Sequence, residues 1–504
     1  MRVMFIGSTY RAEQWPASAI YDAAYVIRDR HMHQRFEEDQ AGIESILERA
    51  HAMALAYLRD LPQRPAAARL PAELPLQTAL PERGHGAQAV LERFENDYAN
   101  LLSGSPGPRY FGLVTGGATP AALAADWLVS SYDQNTQRNG DTCAAALEAQ
   151  AVDLLRQLLH WPNSWNGVCV TGATMANYVG LALARQWYGR QLGRDVAADG
   201  LWGLPPVTVF AGSAHSSTLK AMSMAGLGRR QLRPLALLPG REALDIAALE
   251  QALHEHGDQP SIVVASAGTV NTVDFDDLAA IAALKQRHRF WLHVDAAFGG
   301  VAAASATYRP LLAGIEAADS VTVDAHKWLN VPYDCALSYT AHLPLQLEVF
   351  QNQSAYLPPP IAVADNYLHL TPENSRRFRA LPLWMSLLAY GRDGYAELVE
   401  RNCASAQYLG RLIEADPRFR LAAPVRLNVV CFALTNGDAA AMKNLHERLH
   451  NDGTCYVSPS TLDGQPILRA ALCNWRTTDA DIELSFAALD RAVGRRGQHD
   501  VMAD

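Results

Sequence analysis

Several things this chain lacks narrow what it can be. Nowhere in its 504 residues does an apolar run reach the ~18–20 residues of a membrane span. The opening Met-Arg-Val-Met-Phe-Ile patch is too short for the core of a signal peptide. No membrane partner and no secretory route are expected. The seven cysteines (143, 169, 335, 403, 431, 455 and 473) are scattered, odd in number and never arranged Cys-x-x-Cys. That pattern excludes a disulfide or zinc framework and predicts reduced thiols in a cytoplasmic protein. Positive charge is not in excess: 43 Lys and Arg stand against 52 Asp and Glu, a net charge of −9. No electrostatic footprint for nucleic acid follows from that balance. Internal repeats and low-complexity tracts are also missing. What is present, 49% hydrophobic and 19% charged residues, is ordinary for a globular protein. The length exceeds one core and predicts two or three domains.

The chain divides coarsely at 1–105, 106–395 and 396–504. The first part reads as mainly helical, with an amphipathic stretch from Ile43 to Leu58 and a proline-rich connector from Leu61 to Leu80. In the second, strand candidates at 167–170, 206–210, 261–266, 290–294, 321–323 and 336–339 alternate with helical segments. Such alternation predicts an α/β fold with a mostly parallel central sheet. The third is a smaller α/β unit with strands near 427–434, 455–458 and 468–473, helices near 438–451 and 478–493, and a frayed tail from Arg495.

The most informative segment is Val-Thr-Val-Asp-Ala-His-Lys-Trp at 321–328. A β-branched run ends in Asp324, with His326 and Lys327 directly behind it. A lysine just past the carboxyl end of a buried strand sits where open α/β sheets bind ligands. Desolvated there, its amine can attack a carbonyl and form a Schiff base. An isolated lysine after a strand is ordinarily a surface residue, so the case depends on its neighbours. Upstream, Phe290-Trp291-Leu292-His293-Val294 reads as a buried strand that delivers Asp295 at its end, followed by small residues with room for a flat ring. A buried aspartate needs a cation or good hydrogen bonds, and a protonated pyridine nitrogen is such a partner. Lys327 and Asp295 lie 32 residues apart, the span of one strand–helix–strand excursion.

Two further pieces complete the constellation. Thr171-Gly172-Ala173-Thr174 is a small-residue turn between a strand and an Ala/Leu-rich helix (175–188), a common arrangement that can hold an anion on free N–H groups and the Thr174 hydroxyl. His215, after the 206–210 strand, is either a helix cap or an imidazole placed to stack on a planar ring. A lysine for a carbonyl, an aspartate for a ring nitrogen, a cup for a phosphate and an imidazole for a ring face together describe pyridoxal 5′-phosphate. Every one of these residues follows a strand candidate.

From about Ala41 to about Val493 the chain resembles the group II pyridoxal-phosphate-dependent amino acid decarboxylases, which include the aromatic-L-amino-acid, histidine and glutamate decarboxylases. The resemblance rests on Asp324-Ala325-His326-Lys327-Trp328, His293-Val294-Asp295-Ala296-Ala297, Ala214-His215-Ser216-Ser217, Pro108-Arg109-Tyr110-Phe111-Gly112 and Arg376-Arg377-Phe378-Arg379-Ala380-Leu381. It implies the aspartate-aminotransferase-like fold (fold type I) and amino acid decarboxylation by a carboxy-lyase. By the same resemblance Lys327 holds the cofactor, Asp295 keeps its ring nitrogen protonated, and His215 stacks on the ring with Ala297 on the opposite face. Ala173, Thr174 and His326 contact the phosphate or its surroundings, and Asp324 and Thr269 stand near the cofactor. Tyr356 matches a loop tyrosine thought to protonate the carbon left when CO2 departs; relatives with Phe there tend towards oxidative deamination. Relatives build the site across a two-fold interface, which implies a homodimer, and the partner implied is a small-molecule substrate, an amino acid.

The chain departs from the family pattern at four places. Asp324 stands where relatives often carry Asn, and Val270 replaces the second threonine of a Gly-Thr-Thr element. Leu113 and Val114 replace the Tyr and Phe that line the pocket of aromatic decarboxylases, which weakens the expectation of an aromatic substrate. The same constellation serves other chemistry on this cofactor (oxidative deamination, transamination, Cα–Cβ cleavage), and a catalytically silent homologue is a further alternative. His31-Met32-His33 offers two metal ligands without an evident third. Lys285, Arg287 and His288 read as the exposed face of a helix.

Overall fold

A computed structural model of the protein describes residues 32–138, 140–352 and 366–494. Tyr356 and His31 lie outside the described residues. Two compact units are present: one takes the described residues up to Arg59 together with Pro71–Leu101, the other Asp60–Leu70 and everything from Leu102 onwards. The first contains helices Gln34–Ala41, Ile43–Asp60 and Ala87–Asp97, none with a buried residue.

The second unit holds two sheets. Its strands are β1 (Tyr110–Phe111), β2 (Asn166–Val170), β3 (Val209–Ala211), β4 (Leu232–Pro234), β5 (Ser261–Ser266), β6 (Phe290–Asp295), β7 (Ser320–Asp324), β8 (Ala336–Thr340), β9 (Phe419–Leu421), β10 (Val429–Leu434), β11 (Tyr456–Leu462) and β12 (Gln465–Ala471). The larger sheet has the order β2-β8-β7-β6-β5-β3-β4; the smaller has β1-β11-β12-β10-β9. Strands β7, β6, β5, β3 and β4 run parallel, and β8 is antiparallel to both neighbours. The mostly parallel α/β sheet read from the sequence is what forms.

Its strands are apolar almost throughout because both faces are covered. In β5, Ile262 and Val264 join one core cluster and Val263 and Ala265 the other, so the period-two alternation of a strand feeds two interiors. One of the covering helices, Ala173–Gln191, buries eleven residues. It approaches the sheet so closely at Gly180 that a Cβ there would lie 2.6 Å from the His293 ring. Strand β3 begins at Val209, three residues later than the sequence suggests; Pro206 has no N–H for the ladder, and Thr208 contributes its carbonyl, which accepts the Ile262 N–H at 3.0 Å.

The smaller sheet takes in a segment from far upstream. Tyr110 and Phe111 pair in parallel with Tyr456 and Val457. Arg109 secures the join, donating to the Thr454 carbonyl at 2.9 Å, to Asp481 at 2.9 Å and to the Pro62 carbonyl.

Candidate active site

Five strands of the large sheet end at one place. A cavity of about 350 Å³ opens there, and its wall includes Ala173 and Thr174 after β2, His215 after β3, Thr269 after β5, Asp295 and Ala297 at the end of β6, and Asp324, His326 and Lys327 at the end of β7. Every site residue expected from the sequence lines this cavity except Tyr356, which falls outside the described residues.

The two carboxylates are held differently. Asp295 is buried; it accepts from the Asn177 amide at 3.0 Å and from the Ala297 backbone N–H at 3.2 Å. Among the described residues no cationic group approaches it within ion-pair distance. Asp324 is buried on the neighbouring strand, with one oxygen 3.0 Å from the Lys327 amine and 3.7 Å from His326 Nε2. Among the described residues its other oxygen has no hydrogen-bond partner. The Lys327 amine also lies 5.8 Å from the centre of the Phe298 ring.

Both cavity histidines are pinned through Nδ1. In His215 that atom accepts the Ser217 backbone N–H at 3.2 Å and faces the Ser217 hydroxyl at 2.8 Å, so the residue is also the cap of the Ser216–Met224 helix. In His326 it accepts the Cys335 N–H at 3.2 Å. In each, burial is the main cause that lowers the imidazole pKa below its ordinary value and favours the neutral ring, and because Nδ1 accepts a backbone N–H, the neutral form carries its proton on Nε2. His326 packs against Tyr333, whose hydroxyl meets Thr115 at 3.3 Å.

Thr269 lines the cavity, yet its hydroxyl is committed elsewhere. It donates to Glu242 at 2.7 Å and accepts the Asp274 N–H at 2.9 Å. Buried Glu242 also accepts the Thr272 N–H and hydroxyl, at 2.9 and 2.8 Å, which fixes the turn carrying Val270 into the cavity. Glu242 was not legible as a site residue, because its partners lie about 30 positions away.

These residues fit pyridoxal phosphate. The first N–H groups of the Ala173–Gln191 helix have no intrahelical acceptor and suit a phosphate. Asp295, cradled by neutral donors and facing the cavity, suits a protonated ring nitrogen, and Lys327 stands on the adjacent strand end. A family model for the pyridoxal-dependent decarboxylase conserved domain matches residues 71–435. The chain belongs to the pyridoxal-dependent decarboxylase family. The cofactor of this decarboxylase-family chain is pyridoxal 5′-phosphate. Over 286 residues it is 33% identical to aromatic-L-amino-acid decarboxylase of Drosophila simulans, which covers 56% of each chain. Over 401 residues it is 29% identical to tryptophan decarboxylase 1 of Oryza sativa subsp. japonica, covering 72% of this chain and 76% of that one. The structure of Oryza sativa TDC with PLP and tryptamine superposes with a TM-score of 0.81 at 25% identity, over 90% of this chain and 98% of that one. The chain spans little more than half the length of the Drosophila relative.

Arg469 went unnoticed in the sequence. It is a buried guanidinium on β12 that donates to the Leu113 carbonyl at 2.6 Å, while among the described residues Nε and Nη2 have no partner. Among the described residues no carboxylate lies within ion-pair distance of it.

Proposed function

We propose that the protein removes the α-carboxylate of an amino acid, or a closely related metabolite, as CO2 and leaves the amine. One observation carries the reading: Lys327 and Asp295 face a single cavity from adjacent strand ends, and a helix N-terminus lines the same cavity. Bound there, pyridoxal phosphate supplies an electron sink for the carbon that loses CO2. Lys327 would hold its carbonyl carbon, Asp295 its ring nitrogen, Ala173 and Thr174 its phosphate, and His215 and Ala297 its two faces.

The chain's own groups do the rest. Asp295, buried at the cavity wall, would accept a hydrogen bond from the ring nitrogen and favour its positive charge, an interaction strengthened by burial. Neutral His215 presents Nε2–H to the cavity as a donor. Arg469, a buried cation that among the described residues has no carboxylate partner, lies outside the cavity wall but close enough to act on His215, and adds positive potential that would suit an anionic substrate group; an unpaired buried charge is otherwise costly. Tyr356 is assigned the proton delivered to the α-carbon, on the strength of its position in the family pattern. Aliphatic Val114 and Val270 in the wall favour a substrate without a large aromatic ring.

The working form in this reading is a homodimer. Exposed apolar side chains adjoin residues of the cavity wall: Val270, itself in the wall, is 41% exposed, Leu113 next to Val114 is 65% exposed, and Tyr333, packed on His326, is 59% exposed; a second copy would cover them. A cytoplasmic location accords with seven free cysteines, six of them buried. Among the described residues no helix is long and apolar enough to cross a membrane.

The test is product analysis of the cofactor-loaded protein in air across a panel of amino acids. Equal amounts of CO2 and amine from one member support the proposal. Aldehyde with ammonia and peroxide would replace it with oxidative deamination and remove the role given to Tyr356.

A further inference from the structure

Behind Asp295 lies a buried line of polar side chains whose ends have fixed polarity. At the far end the Trp291 indole, which can only donate, donates to the Ser320 hydroxyl at 2.9 Å. Ser320 meets His293 Nδ1 at 2.8 Å, and His293 Nε2 meets the Asn177 carbonyl oxygen at 3.0 Å. The Asn177 amide nitrogen donates to Asp295 at 3.0 Å and to the Ser217 hydroxyl at 3.2 Å. Ser217 in turn faces His215 Nδ1 at 2.8 Å.

Histidine tautomers and amide orientations follow from the network around them, and here both ends dictate the same answer. A carboxylate accepts only, so Asn177 must turn its NH2 to Asp295 and its oxygen to His293. His293 must then carry its proton on Nε2, and its Nδ1 accepts from Ser320. The Ser320 oxygen is left to accept from Trp291, which the indole requires. Ser217, accepting from Asn177, has its own proton free for His215 Nδ1. Each donor finds one acceptor, and no hydrogen bond in the line can reverse without leaving a buried polar group unpaired.

We propose that this one-directional hydrogen-bond line orients Asp295 and the Ser217–His215 pair for the cofactor, and that Asn177, His293 and Ser320 are positioning residues of the site. The proposal rests on the reading of the cavity as a pyridoxal phosphate site. Burial holds the His293 pKa down to about 4, so the ring stays neutral and the line keeps its direction at neutral pH. Gly180 lets the Asn177 helix press against the His293 ring. A purely structural polar cluster would need hydrogen bonds, but it would not need to end on the two side chains that face the ring of the cofactor.

The test uses Asn177→Ala, the gentler Asn177→Ser and the remote Ser320→Ala in the full-length protein, with two readouts independent of turnover. Imidazole 15N shifts in the cofactor-free protein, assigned with His293→Gln, should show His293 protonated on Nε2 in the wild type and redistributed in Asn177→Ala. Titration with pyridoxal phosphate, followed by visible absorption, should show about tenfold weaker binding and a shifted band in Asn177→Ala. Asn177→Ser should fall between it and the wild type, and Ser320→Ala should show a smaller change in the same direction. In turnover, kcat should fall with KM nearly constant. A His293 proton on Nδ1 in the wild type overturns the direction of the line. A folded Asn177 variant with unchanged cofactor affinity, spectrum and kcat overturns the positioning role. If the protein released no CO2 while the shifts and binding behaved as stated, the assigned reaction would fail and this inference would stand.

Discussion

Strands β6 and β7 end side by side in carboxylates, and the two are solvated by opposite means. Among the described residues, Asp295 has neutral donors, from Asn177 and the Ala297 N–H, and no cation, whereas Asp324 has a cation, Lys327, and an oxygen that no donor reaches. A buried carboxylate cradled by dipoles remains open to an incoming positive charge. One that already holds an ammonium is an ion pair whose partner must leave before it can do anything else. The rest of the chain repeats both solutions. Asp276 accepts only backbone N–H groups, from Leu244 and Ser266 at 2.7 Å each, and burial raises its pKa to about 6. Glu148 is locked to Arg376 at 2.6 Å, with both side chains fully buried. Holding an ionised carboxylate with dipoles alone is therefore not confined to the site, but only at Asp295 does the cradle face the cavity.

The largest effect that bears on this contrast is Lys327→Ala. It should abolish the visible absorption of lysine-bound cofactor and all turnover, and a protein that kept that absorption would refute the assignment. Next comes Asp295→Asn, which should lower kcat about a hundredfold or more because the site loses its charge complement to the ring. Asp324→Asn should cost less than about tenfold in kcat, since an amide can still accept from Lys327. Equal damage from the two amides would erase the distinction between them. Away from the site, Arg376→Met should destabilise the fold by about 3–5 kcal/mol in urea unfolding, because it strands Glu148 in the interior.

The smallest effect is a cancellation in the pH dependence of stability. His293, with a folded pKa of about 4, binds its proton more readily when unfolded, so stability falls as pH drops from about 6.5 towards 4. Asp276 binds its proton more readily when folded, so its contribution rises as pH drops from about 6 towards 4. Each amounts to about 3 kcal/mol across its window. Asp276→Asn removes one side only, and denaturation at pH 7 and pH 5 should show a steeper acid loss in the variant than in the wild type.

Lys327, Asp295, His215 and the Ala173–Thr174 turn were legible because each sits at the end of an apolar run, and strand ends in a parallel sheet share one edge. The strands at 261–266, 290–295 and 320–324 were legible within a residue, since a run buried on both faces has few polar breaks. What stayed hidden depends on contacts across long stretches of chain. Asn177 reads as one polar residue in an alanine-rich helix until the fold sets it against residues 116 and 118 positions away. Lys285, which reads as an exposed charge, is half-buried against Asp319 at 2.6 Å. Tyr110 and Phe111 join a sheet made otherwise from residues beyond 418, which no local pattern announces.

One helix has a consequence for which molecules the cavity admits. Ala173 at its first turn lines the cavity, where in the proposed reading it would meet the phosphate, and Asn177, four residues on, holds the carboxylate that would meet the ring nitrogen. Those two positions are separated by about 6 Å of rise along a single rigid element. The helix is therefore a caliper whose jaws cannot open independently. A cofactor analogue lacking the phosphate, or with a longer arm between ring and phosphate, meets one jaw and misses the other.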